Sequence, residues 1–150
     1  MPVERSAGAV IFRGQGGQRL YLLLQYGKRK GGGFHWDFTK GHLDKGETTE
    51  AAIRREVAEE TGIVEIEFIS GFRETLRLFF RNPDGKTVLK FVAFRVARTK
   101  TAAVKLSPEH IGFVWLPYAA ALRRLTFKNG KTLLMGVENF LNAHPAGTSL

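Results

Sequence analysis

Three glutamates set the chemistry that this chain can carry: Glu56, Glu59 and Glu60, within the stretch GHLDKGETTEAAIRREVAEETGI from Gly41 to Ile63. If a helix starts at Thr48 or Thr49, whose hydroxyls suit an N-cap, a turn of about 100° per residue puts the three carboxylates within an arc of roughly 100°. Like charges three and four residues apart repel in a helix, so local helix stability does not explain the cluster. A hard cation does. Mg²⁺ or Mn²⁺ takes oxygen ligands and commonly sits between protein carboxylates and substrate phosphates, which turns the repulsion into a binding site.

The metal needs a partner reaction. A phosphoanhydride resists water because its oxygens are negative, so cleaving it takes cations on those oxygens and a deprotonated water in line with phosphorus. The chain offers two proton acceptors, Glu60 in the helix and Glu109 on the stretch Leu106-Ser107-Pro108-Glu109-His110. Lys40 and His42 flank Gly41, where backbone amides and a cation hold phosphate. Upstream, Gly27 to Gly33 is basic and glycine-rich, and Lys28, Arg29 and Lys30 are suited to the far phosphates of a long substrate.

The spacing is more specific than the composition. Gly41, Glu47, Arg55, Glu56, Val57, Glu59, Glu60, Gly62 and Ile63 fit the pattern G-x5-E-x7-R-E-U-x-E-E-x-G-U, with U aliphatic. Its seven fixed identities coincide by chance at about one window in 10⁸. The stretch resembles the Nudix box, without a substitution. That resemblance implies hydrolysis of a nucleoside diphosphate linked to another group, with divalent metal on Glu56, Glu59, Glu60 and Gly41 and a structural ion pair between Glu47 and Arg55. Beyond the box, SAGAVIFR, YLLLQYG, HWDFTKGHLDKGE and LSPEHIGFVWLP are similar to the asymmetrically cleaving diadenosine tetraphosphate hydrolases, a Nudix branch. The branch implies a role for Glu109 and aromatic rings around adenine. Thr39 stands where the branch usually has proline, and Leu76-Arg77-Leu78-Phe79-Phe80 lacks the usual tyrosine. Trp36, Phe79, Phe80 and Phe127 are then the rings available to a base.

The elements that must position these groups follow from the pattern. At 150 residues and 43% hydrophobic, the chain is expected to form one domain over 1–150, with a flexible tail from 143. Ser6–Arg13 and Arg19–Tyr26 read as a hairpin across glycines, the second strand covered on both faces. Val64–Arg81 reads as one long strand bent at Gly71, returning through Asn82-Pro83-Asp84-Gly85 into Lys86–Ala97. Ile111–Leu116 is a last strand, Pro117 opens a helix, and a second helix spans Lys131–Leu141. This order predicts an α/β class, an α/β/α sandwich around a mixed sheet, as in the Nudix fold.

The remaining bounds concern partners. With no cysteine, disulfides and thiolate zinc sites are excluded. No run of 18 apolar residues and no signal-type segment is present, so a cytoplasmic protein without a membrane partner is expected. A formal net charge of +9 attracts polyanions, either a small nucleotide polyphosphate or RNA. Three function classes therefore stand at this point: a dinucleoside polyphosphate hydrolase, another Nudix specificity such as RNA 5′ pyrophosphate removal or hydrolysis of nucleoside triphosphates or diphosphoinositol phosphates, and a noncatalytic ligand sensor. The intact carboxylates argue against the sensor.

Overall fold

A computed structural model describes residues 1–27 and 33–145. Strand β1 (Val3–Gln15) and strand β2 (Gln18–Tyr26) form the expected hairpin, with only Gly16 and Gly17 between them. Their φ values of 59° and 75° are those a two-residue turn between right-twisted strands requires. β3 (His35–Asp37) pairs with β2, and β4 (Thr39–His42) pairs with β1. Helix α1 (Thr49–Thr61) follows. β5 (Glu67–Phe68) and β6 (Glu74–Arg81) both pair antiparallel with β7 (Thr87–Arg98), which runs parallel to β1. β8 (His110–Pro117) pairs with β2, and helices α2 (Tyr118–Arg124) and α3 (Lys128–Ala143) complete the described chain.

The sheet is therefore mixed, and its central strands β1 and β2 are packed on both faces. On one face Val10, Phe12, Tyr21 and Leu23 pack with Leu134, Val137 and Leu141 of α3. On the other, Ala7, Ile11, Leu22 and Leu24 pack with Ala52, Ile53 and Val57 of α1. Alternate residues of β2 thus enter different cores, which is why its sequence is continuously apolar. Helix, sheet and helix form the three layers expected from the element order. Among the described residues no helix is long and apolar enough to cross a membrane.

Two expectations need correction. Val64–Arg81 is not one strand: Phe68 pairs with Ala97 and Glu74 with Phe94, so six steps on one side oppose three on the other. The surplus leaves the sheet through Gly71 at φ 102°, because Ile69 and Phe72 pack toward α3, Phe72 against Phe140 at 5.6 Å between ring centroids. The last helix begins at Lys128, ahead of Asn129-Gly130. The amides of a first helical turn have no intrahelical partner, so asparagine and glycine are tolerated there, and Gly130 packs closely on Leu125 and Asp37. α3 ends at Ala143, and residues 146–150 of the expected tail lie outside the described residues.

Candidate active site

The helix that carries the acids is fixed at both ends by its own sequence. Thr48 Oγ1 accepts the amide of Ala51 at 3.1 Å, and Gly62 closes the helix in the left-handed region at φ 75°, its amide donating to Ala58 O. Between these caps Val57 and Ile53 turn into the core, which orients Glu60 inward as well. Glu60 is 5% exposed. Its Oε2 lies 2.5 Å from Nε2 of His110, an imidazole that is itself fully buried.

The stretch bearing His110 is laced to the end of α1. Lys105 N donates to Thr61 O at 2.9 Å, Ser107 N to Glu60 O at 3.2 Å, and His110 N to Ser107 O at 3.1 Å. These bonds bring Glu109 to the site, close enough that its charge, like that of Glu56, resists ionisation of Glu60. Burial is the larger cause, and it raises the Glu60 pKa above the usual carboxylate value against the opposing hydrogen bond from His110. Rings extend the contact: Tyr26 meets His110 edge-on at 4.6 Å, stacks on His35 at 4.7 Å, and donates its hydroxyl to Phe38 O at 2.6 Å. His35 in turn lies 5.3 Å from Phe127.

Arg55 organises the outer acids. Its Nε and Nη2 donate to the two carboxylate oxygens of Glu47 at 2.8 and 2.9 Å, and Nη2 also donates to His42 O at 2.9 Å. Nη1 reaches Glu56 at 2.7 Å and Glu59 at 3.5 Å. The bidentate bond holds the Glu47 pKa down at about 2, assisted by the amide of Asp44. Glu56 rests against Gly41, so closely that a methyl group on Gly41 would overlap its carboxylate. Glu59 is turned to solvent, 58% exposed.

A cleft of about 250 Å³ opens on the α3 side of the sheet, lined by Asp37, Lys40, Leu76, Leu78, Phe127 and Asn129 among others. Lys40 Nζ pairs with Asp37 at 3.0 Å. Of the rings considered for a base, Phe127 lines this cleft. Phe79 does not, because strand alternation puts Leu76, Leu78 and Phe80 on the cleft side and turns Phe79 to the other face, 60% exposed. Phe80 shares the correct face but is not a lining residue. Trp36 is half-buried beneath Arg124, whose guanidinium sits 4.9 Å from its ring, and is also outside the lining. Lys28 and Arg29 lie outside the described residues. His42 is exposed and contributes its carbonyl to Arg55.

With that geometry in view, comparison with known proteins is decisive: the NUDIX domain profile matches residues 2–135. The chain belongs to the Nudix family. The asymmetrical bis(5′-nucleosyl)-tetraphosphatase of Mus musculus is 33% identical over 95% of this chain and 98% of its own. A crystal structure of a C. elegans Ap4A hydrolase binary complex superposes with a TM-score of 0.78, at 31% identity, over 93% of this chain and 98% of that one. An RNA pyrophosphohydrolase of Caulobacter vibrioides is 38% identical over 43% of this chain, which spans 35% of that protein.

Nudix hydrolases use divalent metal ions, and the donor set here suits one. Among the described residues no three His, Asp or Glu side chains already converge on a point that would hold an ion. The chemistry nonetheless fits: the Nudix helix offers only oxygen donors, and Glu60 Oε1 is buried without a hydrogen-bond partner. A buried carboxylate oxygen in that state has a lone pair that a cation would satisfy. Sequence reasoning missed His110, which bonds Glu60, and Tyr26, whose ring packs edge-on against His110. The adjacent Glu109 and His110 were visible as a pair of titratable residues, but which of them turns inward depends on a contact spanning fifty positions.

Arg55 is the residue to remove. Arg55→Ala leaves Glu47 and Glu56 without their common partner and frees the loop from His42 to Glu47. We expect a lower Tm and a kcat/KM reduced by about a hundredfold, the scale of an ångström-sized misplacement near a reacting centre. Steady-state kinetics and thermal melts on one preparation check it, and unchanged kinetics would refute the assigned role.

Proposed function

We propose that this Nudix enzyme hydrolyses dinucleoside polyphosphates, with diadenosine tetraphosphate as preferred substrate and ATP and AMP as products. The observation that carries the reading is the juxtaposition of two features: a buried Glu60–His110 pair beside Glu56, and an apolar cleft lined by Phe127, Leu76 and Leu78, linked by the rings of Tyr26 and His35. A site with one such cleft anchors one end of a long substrate. The full-length similarity to asymmetrical tetraphosphatases points the same way.

Each residue has a task. Glu56, Glu59, Glu60 and the backbone at Gly41 hold Mg²⁺ or Mn²⁺, which when bound neutralises phosphate oxygens and lowers the pKa of water. His110 fixes Glu60 through Nε2 and leaves Oε1 to face the ligand. Arg55 holds Glu56 and the Nudix loop in register. Phe127 stacks on the anchored base, and Lys40 meets the phosphate chain. Glu109 accepts the proton of the attacking water as its oxygen bonds to phosphorus and the bridging P–O bond breaks. Anchoring one adenosine fixes which phosphorus is attacked, so the split is unequal.

Hydrolysis in ¹⁸O-labelled water, with separation of products, tests this. Equal amounts of ATP and AMP are expected, with the label on a single product. Two molecules of ADP would overturn the reading. A tenfold or greater preference in kcat/KM for 5′-triphosphorylated RNA would replace it with the second reading, which the Caulobacter relative and the +9 charge favour.

A further inference from the structure

The half of the sheet built from β6, β7 and the start of β1 has two unlike faces. Val88, Val92 and Phe94 of β7 are buried toward α3. The intervening residues are not. Leu89 and Phe91 are half-buried, and their cross-strand partners Phe79, Arg77, Val3 and Arg5 are exposed. α1 packs on this same face, over Ala7 and Ile11, and leaves the sheet beyond Ala7 uncovered.

The charge on that face has one sign. Arg5, Arg77 and Arg81 stand on it, with the Arg5 guanidinium 5.0 Å from the Phe91 ring. The nearby strand carboxylates Glu4 and Glu74 pair with Lys90 and Phe94, so alternation puts them on the opposite face. From Val3↔Leu89 to Thr75↔Ala93 none of the described β1, β6 and β7 residues on the uncovered face is acidic. Same-face neighbours in a sheet stand roughly 5 Å apart across strands and 7 Å along them. An exposed ring such as Phe79, flanked by arginines, gives bases something to stack on and phosphates something to pair with.

We infer that the face formed by Arg5, Arg77, Phe79, Arg81, Leu89 and Phe91 binds single-stranded polynucleotide. A second copy of the chain is the poorer occupant, because a two-fold contact would set these arginines against themselves. An anionic bilayer is poorer too, since it is usually entered by a protruding apolar helix or loop, whereas these rings lie in a pleated surface. The face begins beside the Nudix loop: Leu43 N donates to Arg5 O at 3.0 Å. A strand held there leads toward the catalytic loop, whether or not diadenosine tetraphosphate is the preferred small substrate.

Fluorescence anisotropy with an end-labelled single-stranded RNA of roughly twelve nucleotides tests the inference on the intact enzyme. Phe79→Ala should weaken binding about five- to a hundredfold, the range of a lost base-stacking contact. Arg77→Glu with Arg81→Glu should weaken it tenfold or more and flatten the salt dependence by about 1.4 in log–log slope, two phosphate contacts' worth. Both variants should keep wild-type hydrolysis of diadenosine tetraphosphate. Four outcomes would overturn the proposal: no saturable binding by wild type at low salt, binding unchanged in both variants, equal affinity for a duplex, or retention on phosphatidylserine vesicles without RNA affinity. A concentration-dependent dimer that Arg77→Glu dissolves would overturn it as well and make the face a self-interface.

Discussion

Glu60→Gln is expected to lower kcat on the order of a thousandfold at saturating metal while the fold survives, because several kcal/mol of charge stabilisation rests on that carboxylate. The side chain keeps its volume and can still accept a hydrogen bond from His110 Nε2. What is lost is a negative charge in a buried position. Such a charge costs stability, and burial raises the Glu60 pKa. The sign follows: a carboxylate whose folded pKa lies above its unfolded value stabilises the fold fully only below the unfolded value, and that contribution disappears as pH rises through the folded one. In metal-free buffer the glutamine variant should therefore gain on wild type as pH is raised from 4 toward neutrality. Thermal melts across that range, beside kinetics at neutral pH, separate the two effects. Wild-type turnover in the variant would remove Glu60 from the site.

The local parts of this site were legible because their causes are local. Thr48 and Gly62 delimit α1 through bonds made within a few residues, and the Glu47 to Arg55 spacing lets an arginine in the second helical turn reach back to the loop before it. The two-residue glycine turn and the Asn82 to Gly85 turn are of the same kind, the latter closed by Gly85 N on Asn82 O at 2.9 Å. What the linear pattern lacked was the face each strand presents. Phe79 and Phe80 are equal as letters, but pairing with Leu89 and Val88 sends them to opposite sides of the sheet. The excursion at Gly71 was missed for a related reason: a continuous apolar run looks like strand whether its side chains fill the sheet or a neighbouring helix interface. His110 became a site residue only when the loop from Lys105 folded back on the end of α1.

Gly41→Ala should be the sharpest test of Glu56. The backbone at Gly41 is not in the left-handed region, so alanine is conformationally acceptable there. The obstacle is the Glu56 carboxylate itself, which occupies the space a β-carbon needs. That carboxylate is the end of a flexible side chain, so it moves aside at small cost to stability, but leaving its place breaks the 2.7 Å bond to Arg55. We expect kcat/KM to fall by about a hundredfold with Tm nearly unchanged. Alanine at Gly8 is the contrasting control: its β-carbon meets the Thr39 carbonyl oxygen at 2.9 Å and the Phe94 ring, and the Thr39 backbone cannot swing away. That variant should lose stability before it loses chemistry. If Gly41→Ala acts through Glu56, its effect in a Glu56→Ala background should nearly vanish, since residues serving one task are not additive. Full additivity in that double-mutant cycle would show that Gly41 matters for some reason other than the room it leaves for Glu56.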